Sequence, residues 1–280
     1  MNVLIGKNGF IAKKLLERGK YVATTSEHED TDTCLFLDLK DASNFDYNLF
    51  NENTNIIFLA AISSPDVCNN DYSFAYKINV EGTALFIEKS IERGANILFF
   101  SSDVVYGNRT EEVDENAKTN PFGKYAEMKD IIEKKFANEK KFKVFRLSYV
   151  LSNEDKFLKY LQHCIDQHET AEIFHPFSRK VVYINDVLEA IESILKKWDQ
   201  FPNQKFNICG VENISRKQLA EWYNLGNANL LKYTIVEPSE DFWKARPKDI
   251  NIVSNYLSNI IGHQPTSIHE AIKQITRRTK

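Results

Sequence analysis

Long apolar runs are missing from this 280-residue sequence: no stretch approaches the roughly 18 to 20 residues that a membrane-spanning helix needs. An excess of basic residues is missing too. Lysine and arginine number 36 against 39 aspartates and glutamates, a net charge of -3, which gives no reason to expect nucleic acid or an anionic membrane as partner. The four cysteines (Cys34, Cys68, Cys164, Cys209) are scattered, and the six histidines form no H-x-x-x-H pair. That excludes the usual metal-ligand spacings and reads as reduced thiols. The opening "MNVLIGKNGF" is a short strand followed by polar residues rather than a secretion leader. The expectation is a soluble cytoplasmic protein with no metal, no nucleic acid and no membrane partner. Repeats and low-complexity segments are also lacking.

What is present is alternation. Apolar runs at 2–5, 21–26, 34–39, 55–61, 96–102 and 143–148 are separated by amphipathic segments at 10–19, 72–93 and 125–136. The runs show no in-out alternation, as in strands covered by helices on both faces. This predicts an α/β fold: a Rossmann-like doubly wound parallel sheet with a smaller C-terminal α/β domain. Residues 1–150 form the dinucleotide-binding domain, which 179–203 rejoins. Residues 151–178 and 204–280 form the appended, substrate-binding domain.

Gly6-Lys7-Asn8-Gly9-Phe10-Ile11-Ala12 joins the first strand to the first helix, where a pyrophosphate would meet backbone N–H groups and the positive helix end. Gly6 permits the tight turn, Gly9 permits close approach, and Ala12 lets the helix pack on the strand. The second strand ends in Thr24-Thr25-Ser26, with Glu27 available as a ribose-binding acid only if the strand runs one residue longer. Those hydroxyls and the Lys7 ammonium suit a 2′-phosphate, so NADP(H) is favoured, with NAD(H) as the alternative. Asp38-Leu39 sits either beside the adenine or in an ordinary turn.

"LFFSSDVVYG" (98–107) is greasy enough for a sheet core yet ends in Ser101, Ser102 and Asp103. "YAEMK" then puts Tyr125 and Lys129 four apart on one helix face. A free phenol, with a pKa of about 10, is a poor proton donor or acceptor near neutrality. A nearby ammonium is expected to bring it down. Y-x-x-x-K is common by chance on solvated helices; after a glycine turn and a Ser-Asp strand end it implies catalysis.

"GKNGFIA", "LAA", "INVEGT", "SSDVVYG", "YAEMK", "FRLSYV" and "RKVVYINDV" occur in the order and spacing of extended short-chain dehydrogenases/reductases. The chain resembles the NAD-dependent epimerase/dehydratase family, and within it the reductases of nucleotide-linked 4-keto-6-deoxyhexoses such as the dTDP-4-dehydrorhamnose reductase group. The resemblance implies Ser102 as the hydroxyl holding a substrate carbonyl, Tyr125 as proton donor and Lys129 as its partner. It implies Leu59, Ala60 and Ala61 along the cofactor channel, Asn79 behind it and Ser148 near the nicotinamide. It places Ser63, Asp103, Val104, Arg179 and Arg246 at a nucleotide-sugar substrate, the arginines at its diphosphate; each arginine otherwise reads as surface charge. Valine at 104, where 4,6-dehydratases carry glutamate, argues against dehydration, since valine cannot move a proton. The implied activity is reduction of a sugar C4 ketone, dTDP-linked, in deoxysugar and surface-polysaccharide synthesis. A 4-epimerase with tightly held NAD and a cofactor-sensing regulator are the alternatives. The resemblance also implies a homodimer, paired through helices near 72–93 and 122–137.

Overall fold

The computed structural model describes residues 1–27, 31, 33–244 and 246–278. Seven strands form one parallel sheet in the spatial order Lys205–Ile208, Phe142–Leu147, Asn96–Ser102, Asn55–Phe58, Asn2–Ile5, Val22–Thr25 and Cys34–Phe36. Chain order reverses between Asn2–Ile5 and Asn55–Phe58. A crevice forms at such a reversal, outside the carboxyl ends of the strands.

Alternate residues of four inner strands feed two separate cores. Leu4, Ile57, Leu98 and Phe145 face one layer, while Val3, Ile5, Ile56, Phe58, Ile97, Phe99 and Val144 face the other. Both faces are therefore apolar, which is why these strands read as continuous runs. The first layer holds helices Phe10–Arg18 and Ile184–Lys196, so the 184–196 segment packs on the sheet. The second layer holds Lys124–Lys135 and a helical run from Tyr72 to Glu92 that passes through a π-helical stretch at Lys77–Gly82. Gly82 abuts backbone there: a Cβ on it would lie 1.7 Å from the Leu39 carbonyl oxygen.

Lys205–Ile208 corrects the expected boundary. Placed by sequence in the appended part, it is the edge strand of the main sheet, in parallel register with Val144–Leu147. Only Phe206 and Ile208 of its four residues are apolar. Asn207 is buried, accepting from the Tyr106 hydroxyl (2.9 Å) and donating to the Val253 carbonyl (2.8 Å). Arg109–Val113, within the first 150 residues, also departs from that boundary by pairing with Ile250–Ile252. The rest of the C-terminal part is built from Thr170–Phe174 beside Lys232–Val236 and from Ser178–Lys180 beside Asn213–Ser215. Among the described residues, no helix is long and apolar enough to cross a membrane, and no cluster of histidine, cysteine or carboxylate could hold a metal ion.

Candidate active site

A cleft of about 370 Å³ opens at the reversal point, walled by Gly6, Thr24, Thr25, Ser26, Asp38, Leu39, Lys40, Ala60, Ala61, Phe74 and Ile78 among others. Its shape follows from the glycine turn. Gly6 has φ +94°, and a Cβ on it would meet Ala60 at 3.1 Å, so only glycine keeps this approach open. Gly9 is the N-cap of Phe10–Arg18 and no side chain caps that helix, which leaves its first N–H groups for an anion. A dinucleotide pyrophosphate fits these features.

The hydroxyls at the second strand are largely committed to the fold. Thr24 Oγ1 accepts from the Gly6 N–H (3.1 Å), and Thr25 Oγ1 accepts from the Glu27 N–H (3.1 Å). Glu27 is exposed and not part of the cleft wall. Lys7 and Asn8 form the turn, with the Lys7 N–H on the Thr24 carbonyl (2.9 Å). Phe10 and Ile11 pack against the core beneath it, as does Leu59. Sequence reasoning missed Lys40, Phe74 and Ile78. Lys40 lines the cleft and pairs with Asp38 at 3.2 Å; its one signal is a cation two residues past that acid. Asp38 also caps the following turn by accepting the Lys40 N–H (2.9 Å).

At the carboxyl end of Asn96–Ser102 the hydroxyl of Ser102 donates to Asp103 Oδ1 (3.1 Å), and Ser148 donates to Asp103 Oδ2 (3.1 Å). Burial pushes the Asp103 carboxyl up from its ordinary value, against the field of Arg179 and the two serine hydrogen bonds. Tyr125 and Lys129 project from one face of Lys124–Lys135, the ammonium 5.8 Å from the centre of the phenol ring. Lys129 donates to the Phe100 carbonyl (2.7 Å) and lies over the Phe99 ring at 4.5 Å.

The acidity of Tyr125 runs opposite to the sequence expectation. Burial raises its pKa well above the ordinary phenol value, and the neighbouring Cys68 and Asp103 add to the rise. The ammonium is turned toward a backbone carbonyl and is itself brought down to about 8 by burial, so desolvation outweighs charge attraction.

Two supports hold this edge in place. Asn79 closes on the 60–64 loop, accepting from the Ile62 N–H (2.8 Å) and donating to the Ile62 carbonyl (2.9 Å). Beneath the strand, Arg146 and Glu133 form a buried ion pair at 2.6 Å. Arg146 also donates to the Tyr106 hydroxyl (2.6 Å), and Ser101 donates to Glu133. Both ends of 101–106 are thus fixed to the helix that carries Tyr125. Ser63 is exposed on the loop, and Val104 follows Asp103 at the first turn.

The two sequence-selected arginines converge on an aromatic cluster of Phe174, Phe177, Phe242 and Trp243. Arg179 lies over Phe177 at 4.6 Å and Arg246 over Phe242 at 4.7 Å. Arg179 is no surface charge, whereas Arg246 stays partly exposed in its pair with an exposed Asp66. Arg179 donates to the carbonyls of Ser178, Pro247 and Lys248 at 2.6 to 2.9 Å. Arg246 grips Asp66 through both terminal nitrogens, at 3.0 and 2.7 Å.

A doubly wound sheet with a Tyr–Lys pair on the helix behind its Ser-bearing strand is the construction of the short-chain dehydrogenases/reductases, and this chain is an enzyme of that type. The family described as "RmlD substrate binding domain" matches residues 1–280, and the chain belongs to it. A curated relative is the N-acetyl-α-D-glucosaminyl-diphospho-ditrans,octacis-undecaprenol 4-epimerase of Escherichia coli O157:H7, 31% identical over 134 residues. That match spans 45% of this chain and 40% of the relative's length. Among solved structures, the dTDP-4-dehydrorhamnose reductase of Bacillus anthracis in complex with NADP superposes with a TM-score of 0.79, 21% identity, and coverage of 100% of this chain and 99% of that one. The UDP-glucose 4-epimerase of Thermotoga maritima with UDP-glucose gives 0.78, 21%, and the same coverage.

Proposed function

We propose that this protein is an NADPH-dependent reductase of the C4 ketone of a nucleotide-linked 4-keto-6-deoxyhexose, acting in deoxysugar synthesis in the cytoplasm. The observation that supports it most is the placement of Tyr125, Lys129 and the Ser102–Asp103 pair at one sheet edge beside a cleft shaped for a dinucleotide. Gly6, Gly9 and the uncapped helix end would hold the pyrophosphate, and Ala60 and Ala61 the channel wall. Ser26 and Lys40 favour the 2′-phosphate of NADP(H) over NAD(H), since the acid on that wall, Asp38, is already paired with Lys40.

Bound NADPH would supply the hydride. The Ser102 hydroxyl is free to turn from Asp103 to a substrate carbonyl, orienting it. Tyr125, kept protonated by burial, gives its proton to the oxygen that gains charge. Lys129 offsets the phenolate left behind. Asp103 holds the Ser102 hydroxyl until substrate enters and keeps the Ser148 hydrogen bond after Ser102 turns. Arg179 and Arg246 take the substrate diphosphate, a planar fork suiting a phosphate pair. We read the assembly as a homodimer through the Tyr72–Glu92 and Lys124–Lys135 segments.

A panel assay of NADPH oxidation against 4-keto-6-deoxy sugars carried on dTDP, GDP and UDP tests the reading. Turnover of at least one is expected. Tyr125→Phe should lose about three powers of ten or more in turnover while keeping cofactor affinity. Near-normal turnover in that variant would remove Tyr125 as the proton donor. The 31%-identical epimerase favours a second reading, a 4-epimerase. It requires NAD retained through purification, visible by absorbance, whereas the reductase releases its cofactor.

A further inference from the structure

Past Arg179, outside the dinucleotide cleft, lies a second cavity of about 230 Å³ walled by Phe157, Tyr160, Glu172, Phe174 and Arg216. Arg216 rests over three rings, Phe157 at 4.5 Å, Phe177 at 5.2 Å and Tyr149 at 5.8 Å. Among the described residues its guanidinium makes no hydrogen bond and no ion pair, and the Glu172 carboxylate makes none either. The backbone N–H of Glu172 donates to the Tyr160 hydroxyl (2.8 Å), which sets that ring along the wall. An unpaired cation and an unpaired anion therefore border one aromatic-walled space without neutralising each other. Arg216 is half-buried and Glu172 exposed, so together they offer a donor-only fork and an acceptor-only pair to a ligand entering that space.

Shared contacts link it to the reacting end. Arg179 acts on the Asp103 carboxylate at the reacting end and shares the Phe177 ring with Arg216. A substrate with its ketone at Ser102 and its diphosphate at Arg179 would put its base in this cavity. The flat rings accept a stacked heterocycle. The edge chemistry then selects one. A guanidinium only donates and a carboxylate only accepts. Guanine alone offers two acceptors side by side, O6 and N7, for an arginine fork, and two donors side by side, N1–H and N2–H, for a carboxylate. Uracil and thymine set one N–H between two carbonyls, which repel a carboxylate. Adenine and cytosine put an unprotonated ring nitrogen beside the amino group.

We propose, resting on the nucleotide-sugar reading above, that Arg216 and Glu172 bind the base of the substrate and that this base is guanine. Calorimetric titration of the NADPH-loaded protein with GDP, dTDP, UDP, ADP and CDP tests it. GDP should bind about tenfold tighter or more than each of the other four. Arg216→Met and Glu172→Gln should each reduce that preference to about threefold or less, with NADPH affinity unchanged as the control for folding. A different diphosphate binding as tightly as GDP, or a preference that survives both substitutions, would overturn the assignment. If none of the five binds while NADPH does, the nucleotide-sugar reading itself fails and this inference goes with it; binding without base preference removes the inference alone.

Discussion

Lys129 is held by the Phe100 carbonyl and the Phe99 ring face, in surroundings dry enough to bring its pKa to about 8. The phenol of Tyr125 is pushed the other way and stays protonated over the whole working range. The proposed reduction needs both protons in place, so kcat/KM should be level below pH 8 and fall by one proton's slope above it. A profile that rises through pH 8, or Lys129→Met retaining the wild-type limb, would count against this role. The same residue sets a stability term with a definite sign. A lysine whose pKa drops on folding holds its proton more tightly when unfolded. It therefore opposes folding below pH 8, by roughly 3 kcal/mol, and the penalty fades as pH rises from 8 toward 10.5. At this scale the sequence announced Ser102, Tyr125 and Lys129 because they sit at motif spacings. It did not announce Lys40, Phe74, Glu172 or Arg216. Each belongs to an ordinary charged or amphipathic segment, and only tertiary packing turns it toward a cavity.

The four inner strands that feed both cores were legible as elements, since both of their faces are buried. Lys205–Ile208 was not, because an edge strand needs only two apolar residues to close the sheet and can carry Asn207 for a buried hydrogen bond. The helix beginning near 72 was legible in length but not in its division into Tyr72–Tyr76, a π-helical stretch and Thr83–Glu92. That division comes from fitting Gly82 against Leu39, a contact distant in sequence. The dimer reading belongs to these elements. Leu85 and Ile131 are partly buried apolar groups on the two segments, amid ion pairs such as Glu88–Lys135 at 2.8 Å. Sedimentation should give twice the 32.4 kDa chain mass, and Leu85→Glu should give the single chain. A monomeric wild-type protein would reject the pairing.

Across the whole molecule, the Arg246–Asp66 pair bridges the C-terminal part and the loop-helix beside the cofactor cleft, 180 residues apart in sequence. Arg246 holds the Asp66 carboxyl below its ordinary value. For Arg246 to meet a substrate diphosphate, this clasp must open. Asp66→Asn should therefore tighten nucleoside diphosphate binding, by up to about fivefold given the ~1 kcal/mol ceiling for an exposed pair. Calorimetry that shows equal or weaker binding would argue that Arg246 serves the clasp alone.

The seat of Gly82 against the Leu39 carbonyl has a consequence for redesign. Leu39 and Lys40 belong to one bank of the dinucleotide cleft, Phe74 and Ile78 to the other, and backbone meets backbone between them with no side chain to trim. The banks cannot be spread or narrowed by resizing a residue at that joint. Attempts to exchange one nicotinamide cofactor for the other will have to rewrite charges along the rim, with the width of the slot left as a constant of the scaffold.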